Sequence, residues 1–308
     1  MANILIIGGG GFIGSNLVKA FNGKHNVLIY DASVRYSYNT KELDNKINIV
    51  TGTLNQFDYL VSLVEKNSID TIIHLASGLL PGSSFEEYTN EYETIIIPTI
   101  KLFHYSSKKK IKVIYFSSGG TIYGTTLAFK VNETHKSAPI CYYGLSKQIL
   151  EDALLFQRRA SGLEYLIIRP SNLFGPGQNP LGRQGLIATS IWNILHHKKI
   201  IIWGDGNIVR DYLYINDLNF AIGELIDRDI RNEIVNIGSG IGYSVNEIIH
   251  KLKTLINKDV DIEYTPGRKV DVPSVILDNS KLKALIPFTL TPLETGMSKF
   301  LDFILHSN

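Results

Sequence analysis

The stretch Asn3-Ile4-Leu5-Ile6-Ile7-Gly8-Gly9-Gly10-Gly11-Phe12-Ile13-Gly14 decides the fold of this chain. An apolar run typical of a buried strand enters a glycine cluster, and an amphipathic helical pattern follows. Gly9, Gly11 and Gly14 fit G-x-G-x-x-G, and Gly8, Gly11 and Gly14 fit G-x-x-G-x-x-G. A turn of this kind lets a pyrophosphate contact the backbone at a helix N-terminus. The segment therefore predicts a dinucleotide site, and the alternative is a tight turn without a ligand.

An acidic residue, Asp31, ends a second apolar run, Val27-Leu28-Ile29-Tyr30. It follows the glycines by about twenty residues, where a carboxylate accepts hydrogen bonds from the adenosine ribose and repels a 2′-phosphate. The pattern therefore favours NAD(H) as the coenzyme. Arg35 lies close behind and could pair with a 2′-phosphate, so NADP(H) stays an alternative.

The composition is that of an ordinary globular protein of 308 residues, with 44% hydrophobic and 19% charged residues and a net charge of +2. Such a weak charge argues against nucleic-acid binding. The run Lys108-Lys109-Lys110 is expected to end a helix, where cations suit the dipole. One cysteine, Cys141, excludes an internal disulfide and argues against a structural metal site. We find neither a signal peptide nor a membrane-spanning run, so we expect a cytoplasmic protein without a membrane partner.

Apolar strands alternate with helical patterns along the first half of the chain. This rhythm predicts an α/β fold with a doubly wound parallel sheet. We expect further strands at about 47–51, 71–76, 112–118 and 165–169, and helices at about 57–65, 85–107 and 143–160.

Shorter elements rich in glycine and proline follow from about residue 173. We therefore predict a dinucleotide-binding domain at 1–172 and a smaller α/β substrate-binding domain at 173–308, with some later segments returning to the first. In a doubly wound fold the ligand lies at the carboxyl ends of the strands. Coenzyme contacts are expected there from Gly8, Gly11, Phe12, Ile13, Gly14, Asp31 and Ala76.

Tyr143 and Lys147 lie four residues apart, on one face of a predicted helix. A tyrosine side chain titrates near ~10, so it needs help to exchange protons at neutral pH. The Lys147 ammonium and a positively charged nicotinamide would both favour the phenolate. The pair is therefore a candidate for acid/base catalysis and for coenzyme contact.

At this point the chain resembles the extended short-chain dehydrogenase/reductase family, in its nucleotide-sugar epimerase, dehydratase and reductase branch. The resemblance covers nearly the whole chain, and further motifs carry it: His74-Leu75-Ala76, Ser117 to Gly124, Arg169-Pro170-Ser171-Asn172, Trp203-Gly204-Asp205-Gly206, Arg210-Asp211-Tyr212 and Arg268. It implies a Rossmann fold and hydride transfer at a nucleotide-linked sugar, with Tyr143 as acid/base and Lys147 also on the nicotinamide ribose. It also implies that Asn172 contacts the substrate, that Arg210 and Arg268 bind its diphosphate, and that the protein is a homodimer.

Two arginines from separate loops could clamp a diphosphate, because a guanidinium grips paired anionic oxygens. Each arginine could instead form a structural ion pair, Arg210 with the Asp211 region and Arg268 with Asp271. Trp203 is equally consistent with stacking on a nucleobase and with packing in a loop. We assign no catalytic role to His74, which we expect to order a turn, or to Cys141, which we expect to be buried.

The chain departs from the family at Gly119, where many members carry the Ser or Thr that binds the substrate hydroxyl. In this chain the substrate hydroxyl must therefore be bound by Ser118, Thr121 or water, and we rank Ser118 first because it ends a strand. The same loop, Gly119-Gly120-Thr121, lacks the carboxylate pair of the 4,6-dehydratases, which argues against dehydration.

Three further departures concern coenzyme retention. Thr53, Leu79 and Ile95 stand where UDP-galactose epimerases commonly place polar coenzyme contacts. Weaker anchoring suits an enzyme that exchanges its coenzyme at every turnover. We therefore favour a reductase of a nucleotide-activated 4-keto sugar, such as a dTDP-4-keto-6-deoxyhexose for surface polysaccharide of the O-antigen type. The alternatives are a UDP-hexose 4-epimerase with retained NAD and a non-catalytic NAD-sensing or scaffold protein.

Overall fold

The computed structural model describes residues 1–33, 48–126, 128–182, 184–268 and 270–306. Arg35 therefore lies outside the described residues. The strands are β1 (Asn3–Ile7), β2 (Asn26–Asp31), β3 (Asn48–Thr51), β4 (Thr71–His74), β5 (Lys112–Phe116), β6 (Tyr165–Pro170), β7 (Asn172–Phe174), β8 (Ile200–Trp203), β9 (Val209–Tyr214), β10 (Glu233–Ile237), β11 (Gly242–Ser244), β12 (Ile262–Thr265) and β13 (Ser274–Val275).

The helices are α1 (Phe12–Phe21), α2 (Phe57–Lys66), α3 (Phe85–Glu91), α4 (Ile97–Lys109), α5 (Tyr142–Ser161), α6 (Leu186–Leu195), α7 (Ile215–Asp227), α8 (Val245–Ile256), α9 (Ser280–Leu285) and α10 (Leu293–His306). A π-helical turn, Tyr92–Ile96, joins α3 to α4. Within the part of the chain that the structure describes, no helix is both long and apolar enough to cross a bilayer.

A parallel sheet of seven strands, in the order β3-β2-β1-β4-β5-β6-β10, forms the centre of the molecule. The strand order reverses between β1 and β4, which is where a doubly wound sheet opens a crevice for a ligand. The predicted fold class is confirmed. The glycine turn after β1 opens directly onto this crevice.

Both faces of the sheet are buried, as the near-continuous apolar strands predict. On β1, Ile4 and Ile6 belong to the core cluster that includes Phe21 of α1. Leu5 and Ile7 point to the opposite face and pack in the cluster that includes Leu60 of α2. This alternation fixes the register of β1 and hence the place where the glycine turn begins.

The long helix expected at 85–107 is divided in the structure, so that expectation is wrong in its continuity. Ser84 and Glu87 form a capping box that starts α3, and the π-helical turn separates it from α4. Pro98, in the first turn of α4, has no backbone N–H to donate to the preceding turn. The lysine run does end a helix, since α4 stops at Lys109 and Lys110 adopts a left-handed conformation with φ 58°.

The second half of the chain builds two small sheets around β9 and β8. Asp211 of β9 is 1% exposed and accepts hydrogen bonds from the backbone N–H groups of Ser239, Gly240 and Leu277. It therefore ties three segments together. β10 from this half pairs with β6 in the central sheet. The proposed division at residue 172 stays a prediction.

A buried ion pair attaches α5 to the central sheet. Arg169 of β6 donates two hydrogen bonds to Glu151 of α5, at 2.9 and 2.5 Å, and both side chains are 4% exposed. Arg169 also donates to the Tyr123 hydroxyl at 3.0 Å, which in turn donates to Asn236 of β10 at 2.7 Å. The network fixes α5, and with it Tyr143 and Lys147, against the carboxyl ends of the strands.

Replacing Glu151 by leucine should lower the free energy of unfolding by about 3 kcal/mol or more, because Arg169 would stay buried without its partner. Urea unfolding measures this change. Asp152→Asn is the matched control, since Asp152 is exposed on the same helix, and it should change the free energy by less than about 0.5 kcal/mol. Equal effects of the two substitutions would contradict the role given to the buried pair.

Candidate active site

A cavity of about 900 Å³ opens at the carboxyl ends of β1, β2 and β4. Residues from the glycine turn, from the end of β2 and from the loop after β4 line it, together with part of the π-helical turn. Among them are Gly8, Gly10, Gly11, Phe12, Asp31, Thr53, Ala76, Ser77, Gly78, Thr94 and Ile95. Expected coenzyme contacts from three separate segments therefore meet at one cavity.

The glycines of the turn have two separate roles, close packing of the backbone and open space for a ligand. A Cβ on Gly14 would lie 2.4 Å from Gly9 Cα, and one on Gly8 would lie 2.9 Å from the backbone N of Ala76, so both positions serve close packing. Gly8 also has a φ of +78°, which favours glycine. A Cβ on Gly11 would meet only the Gly8 carbonyl, at 3.6 Å. The open space at Gly11 leaves room for a phosphate to approach the backbone.

The N-terminus of α1 faces this space with backbone donors. The first N–H groups of a helix have no acceptor within it, and here they belong to Phe12, Ile13 and Gly14. The side chains of Phe12 and Ile13 both pack against the core, but Phe12 also lines the cavity and Ile13 does not. A coenzyme contact at Ile13 would therefore involve the backbone.

The Asp31 carboxylate is held at the rim of the cavity. One oxygen accepts a hydrogen bond from Gly10 N at 2.9 Å and the other accepts from Ser33 N at 3.0 Å. A carboxylate has about four acceptor sites, so it can still accept from ribose hydroxyls. The cavity, the donors and this acceptor together fit a dinucleotide.

The predicted catalytic residues meet at the adjoining ends of β5 and α5. Thr121 Oγ1 donates a hydrogen bond to Ser118 Oγ at 2.9 Å, and the Ser118 hydroxyl is also hydrogen-bonded to the Tyr143 phenol. Lys147 Nζ donates to the Phe116 carbonyl at 2.9 Å and lies 5.5 Å from the centre of the Tyr143 ring. Tyr143, Ser118 and Thr121 thus form a continuous chain of hydroxyl groups.

The protonation of this cluster differs from the expectation. Burial raises the pKa of Tyr143 to about 12, with the Ser118 hydrogen bond acting in the opposite direction. Burial lowers the pKa of Lys147 to about 8, while the carboxylates of Glu91 and Glu151 raise it. The expected lowering by Lys147 is not observed: burial is the largest influence on the Tyr143 pKa, and the influence that lowers it is the Ser118 hydrogen bond. Without coenzyme, Tyr143 therefore carries its proton at neutral pH.

The substrate-side positions lie next to this cluster. A Cβ on Gly120 would lie 3.9 Å from Asn172 Oδ1 and 4.0 Å from Ser118 Oγ, so both polar atoms border one space. Asn172 Nδ2 donates to the Asp211 carbonyl at 3.1 Å, which leaves Oδ1 directed toward that space. A Cβ on Gly119 would lie 2.5 Å from Leu277 Cδ1. The buried Leu277 therefore occupies the volume that a Ser or Thr at 119 would need.

The two arginines differ in their surroundings. Arg210 is held by the Val209 and Val272 carbonyls at 2.9 and 2.8 Å, and burial lowers its pKa. Arg268 forms the alternative ion pair with Asp271, through two hydrogen bonds of 2.8 Å, and its guanidinium lies 5.8 Å from the centre of the Trp203 ring. Arg268 must therefore release or share Asp271 to bind a diphosphate.

His74 and Cys141 have structural surroundings. His74 is fully buried, its Nε2 lies 2.9 Å from Thr99 Oγ1, and burial lowers its pKa to about 3. Cys141 is only half-buried, contrary to expectation. Its sulfur caps α5 by accepting a hydrogen bond from Gly144 N at 3.5 Å.

Sequence reasoning missed the buried Glu91, which accepts a hydrogen bond from Gly78 N at 2.6 Å. A glutamate in the middle of a helical pattern resembles a solvent-exposed residue, and nothing in the sequence pattern distinguishes it. The π-helical turn that follows it was equally hidden.

The comparisons with known proteins agree with this geometry. The family model described as the NAD dependent epimerase/dehydratase family matches residues 4–238. A protein of Methanocaldococcus jannaschii, provisionally named UDP-glucose 4-epimerase, is 32% identical over 99% of each chain. The dTDP-4-dehydro-6-deoxyglucose reductase of Escherichia coli is 27% identical over 98% of this chain and 97% of its own.

Among solved structures, the UDP-glucose 4-epimerase of Thermotoga maritima with UDP-glucose is similar along nearly its whole length. It has a TM-score of 0.90 and 31% identity, and the match covers 98% of each chain. The chain is therefore similar to nucleotide-sugar epimerases and to a nucleotide-sugar reductase.

Gly11→Ala should weaken NADH binding by about tenfold or more, because the new methyl group would fill the room for the pyrophosphate. The unfolding midpoint should stay unchanged, since that methyl group meets only one atom, at van der Waals distance. Fluorescence titration with NADH measures the affinity. The control is Gly82→Ala in an open loop. Wild-type affinity in the Gly11 variant would contradict the phosphate role of this turn.

Proposed function

Because the chain belongs to the NAD-dependent epimerase/dehydratase family, we propose that it reduces a nucleotide-activated 4-keto sugar, with NAD(H) as coenzyme and NADP(H) as the alternative. The observation that carries the proposal is the hydroxyl chain Tyr143-Ser118-Thr121, which lies after β5, at the same edge of the central sheet as the dinucleotide cavity. The sugar we favour is a dTDP-linked 4-keto-6-deoxyhexose used for surface polysaccharide.

The reduction requires one hydride and one proton at the carbonyl group. The coenzyme, when bound, supplies the hydride. Tyr143 donates the proton to the carbonyl oxygen, and a phenol whose pKa lies at about 12 holds that proton at neutral pH. Ser118 binds the same oxygen and orients it, while Thr121 donates to Ser118 and fixes its hydroxyl. The Lys147 ammonium stabilises the phenolate that remains.

Coenzyme exchange is the argument for net reduction. Thr53 and Ile95 line the coenzyme cavity, whereas Leu79 is buried and is not among its lining residues. Ile95 has no hydrogen-bonding group, so at this position the wall offers the coenzyme no side-chain hydrogen bond. A reductase gains from such weaker anchoring because it releases its coenzyme after every reaction.

A UDP-hexose 4-epimerase is the second candidate, and the names of the relatives favour it. There Tyr143 would first remove a proton from the C4 hydroxyl and later return it. This order requires a phenolate at the start, which burial disfavours in the coenzyme-free protein. The same observation supports the reductase as the first choice.

Substrate binding would use the two arginines and Asn172. Arg210 is preorganised by backbone carbonyls, and we assign it to the diphosphate. Arg268 would have to give up its ion pair with Asp271 to bind the phosphate oxygens. Its net contribution to the free energy of substrate binding is therefore smaller by the strength of that ion pair. Asn172 Oδ1 would accept a hydrogen bond from the sugar.

We infer that the protein is a homodimer formed through α4 and α5. Ile97, Leu145 and Phe156 are exposed on these helices, and such apolar surface is stabilised by a second copy. Light scattering should give twice the mass of the chain. A monomeric mass at micromolar concentration would exclude this interface.

Incubation with dTDP-4-keto-6-deoxyglucose and NADH should consume NADH, seen as loss of its absorbance. The freshly purified protein should release little NAD on denaturation, because a reductase does not retain its coenzyme. Near-complete NAD occupancy, together with conversion of UDP-glucose to UDP-galactose, would replace the reductase by the epimerase.

Tyr143→Phe is the control variant for this assay. It should lower kcat by about 10²–10⁴-fold and leave NADH affinity unchanged, since only the proton donor is lost. Wild-type turnover in this variant would remove Tyr143 from the mechanism. A wild-type protein that binds NADH but turns over no nucleotide sugar would favour the NAD-sensing alternative.

A further inference from the structure

A carboxylate, Glu91, lies buried near the predicted catalytic residues although it belongs to none of the recognised motifs. It is the last residue of α3, is 5% exposed, and directly precedes the π-helical turn Tyr92–Ile96. π-helical turns are rare in proteins, and those that occur often lie at functional sites. Because burying a charge without partners is costly, the placement of this side chain calls for a physical reason.

The hydrogen bonds of Glu91 reach the wall of the coenzyme cavity. Its oxygens accept from Ser77 Oγ at 2.8 Å and from Gly78 N at 2.6 Å. Ser77 and Gly78 line the cavity, as do Thr94 and Ile95 of the π-helical turn. Glu91 therefore joins two segments of one wall.

The charge of Glu91 also acts on Lys147. Burial lowers the pKa of this lysine, whereas the Glu91 carboxylate raises it, and does so more strongly than the Glu151 carboxylate. Glu151 already forms a bidentate ion pair with Arg169. Glu91 has no such partner among the ion pairs of the described residues, so its charge remains available to Lys147.

The other titratable groups around Lys147 are uncharged at neutral pH. His74 of β4 has a pKa of about 3 because it is buried. Burial also raises the pKa of Tyr115 of β5 and of Tyr143 of α5. Lys147 lies 5.3 Å from the Tyr115 ring centre and 5.5 Å from that of Tyr143. The negative charge that faces Lys147 thus comes from the two glutamates.

We propose that Glu91 is a positioning residue that keeps the Lys147 side chain in its ammonium form and fixes the Ser77-Gly78 wall of the coenzyme cavity. One carboxylate then links coenzyme binding to the proton-transfer residues. The inference rests on the proposed function where turnover is measured, whereas coenzyme binding tests it independently.

Glu91→Gln removes the charge and keeps the shape. Its amide oxygen can accept from Gly78 N and its NH₂ group can donate to Ser77 Oγ, so the wall is retained. Without the charge, Lys147 loses its proton at a lower pH. NADH affinity, measured by fluorescence between about pH 6 and about pH 10, should therefore weaken on the alkaline side about one pH unit earlier than in the wild type. The alkaline limb of kcat should shift in the same direction.

Glu86→Gln is the matched control, since it makes the same change of charge at an exposed position of α3, and its profile should follow the wild type. An unshifted profile in Glu91→Gln would overturn the proposal. So would an equal loss of affinity at every pH, which would mark Glu91 as purely structural. If the wild type binds NADH but reduces no sugar, the proposed function fails, while the NADH profile still decides the role of Glu91.

Discussion

The buried ion pair between Arg169 and Glu151 is the constraint on which the geometry of the site depends. Helix α5 carries the proposed catalytic residues and packs against the central sheet. Apolar packing is not directional, so it would not by itself fix the position of the helix along its axis. Two hydrogen bonds to a planar guanidinium fix both its position and its rotation. Tyr143 and Lys147 lie two turns and one turn before Glu151 on the same helix, so their places follow from this anchor.

Burial favours the neutral form of both Tyr143 and Lys147, so it moves their pKa values in opposite directions. It stabilises the neutral form of Tyr143 and destabilises the charged form of Lys147. A site that needs a protonated phenol and an ammonium group must therefore place a negative charge close to the lysine. That negative charge must also be shielded from water. Glu91 meets this need from outside α5, so the electrostatics of the site depend on the π-helical turn as well as on the motif.

The sequence allowed the sheet, the glycine turn and the grouping of Ser118, Thr121 and Tyr143 to be predicted, because these features follow from local patterns and from the parallel topology. The division of the helix at 92–96 could not be predicted, since the residue before it, Glu91, bonds to the distant loop after β4 and no local pattern records such a contact. The reason for Gly119 was equally hidden. Leu277, which fills that space, lies 158 residues further along the chain, and periodicity carries no information on such contacts.

The departure from the family pattern at Gly119 has a packing reason, because Leu277 fills the space that a larger side chain would need. Leu277 is buried and its backbone N–H is held by Asp211, which also ties Ser239 and Gly240. In the proposed mechanism the hydroxyl that binds the reacting oxygen therefore comes from the residue before, Ser118, whose orientation is set by Thr121. The packing of Leu277, in the second half of the chain, thereby limits which side chains can occupy the loop after β5 in the first half.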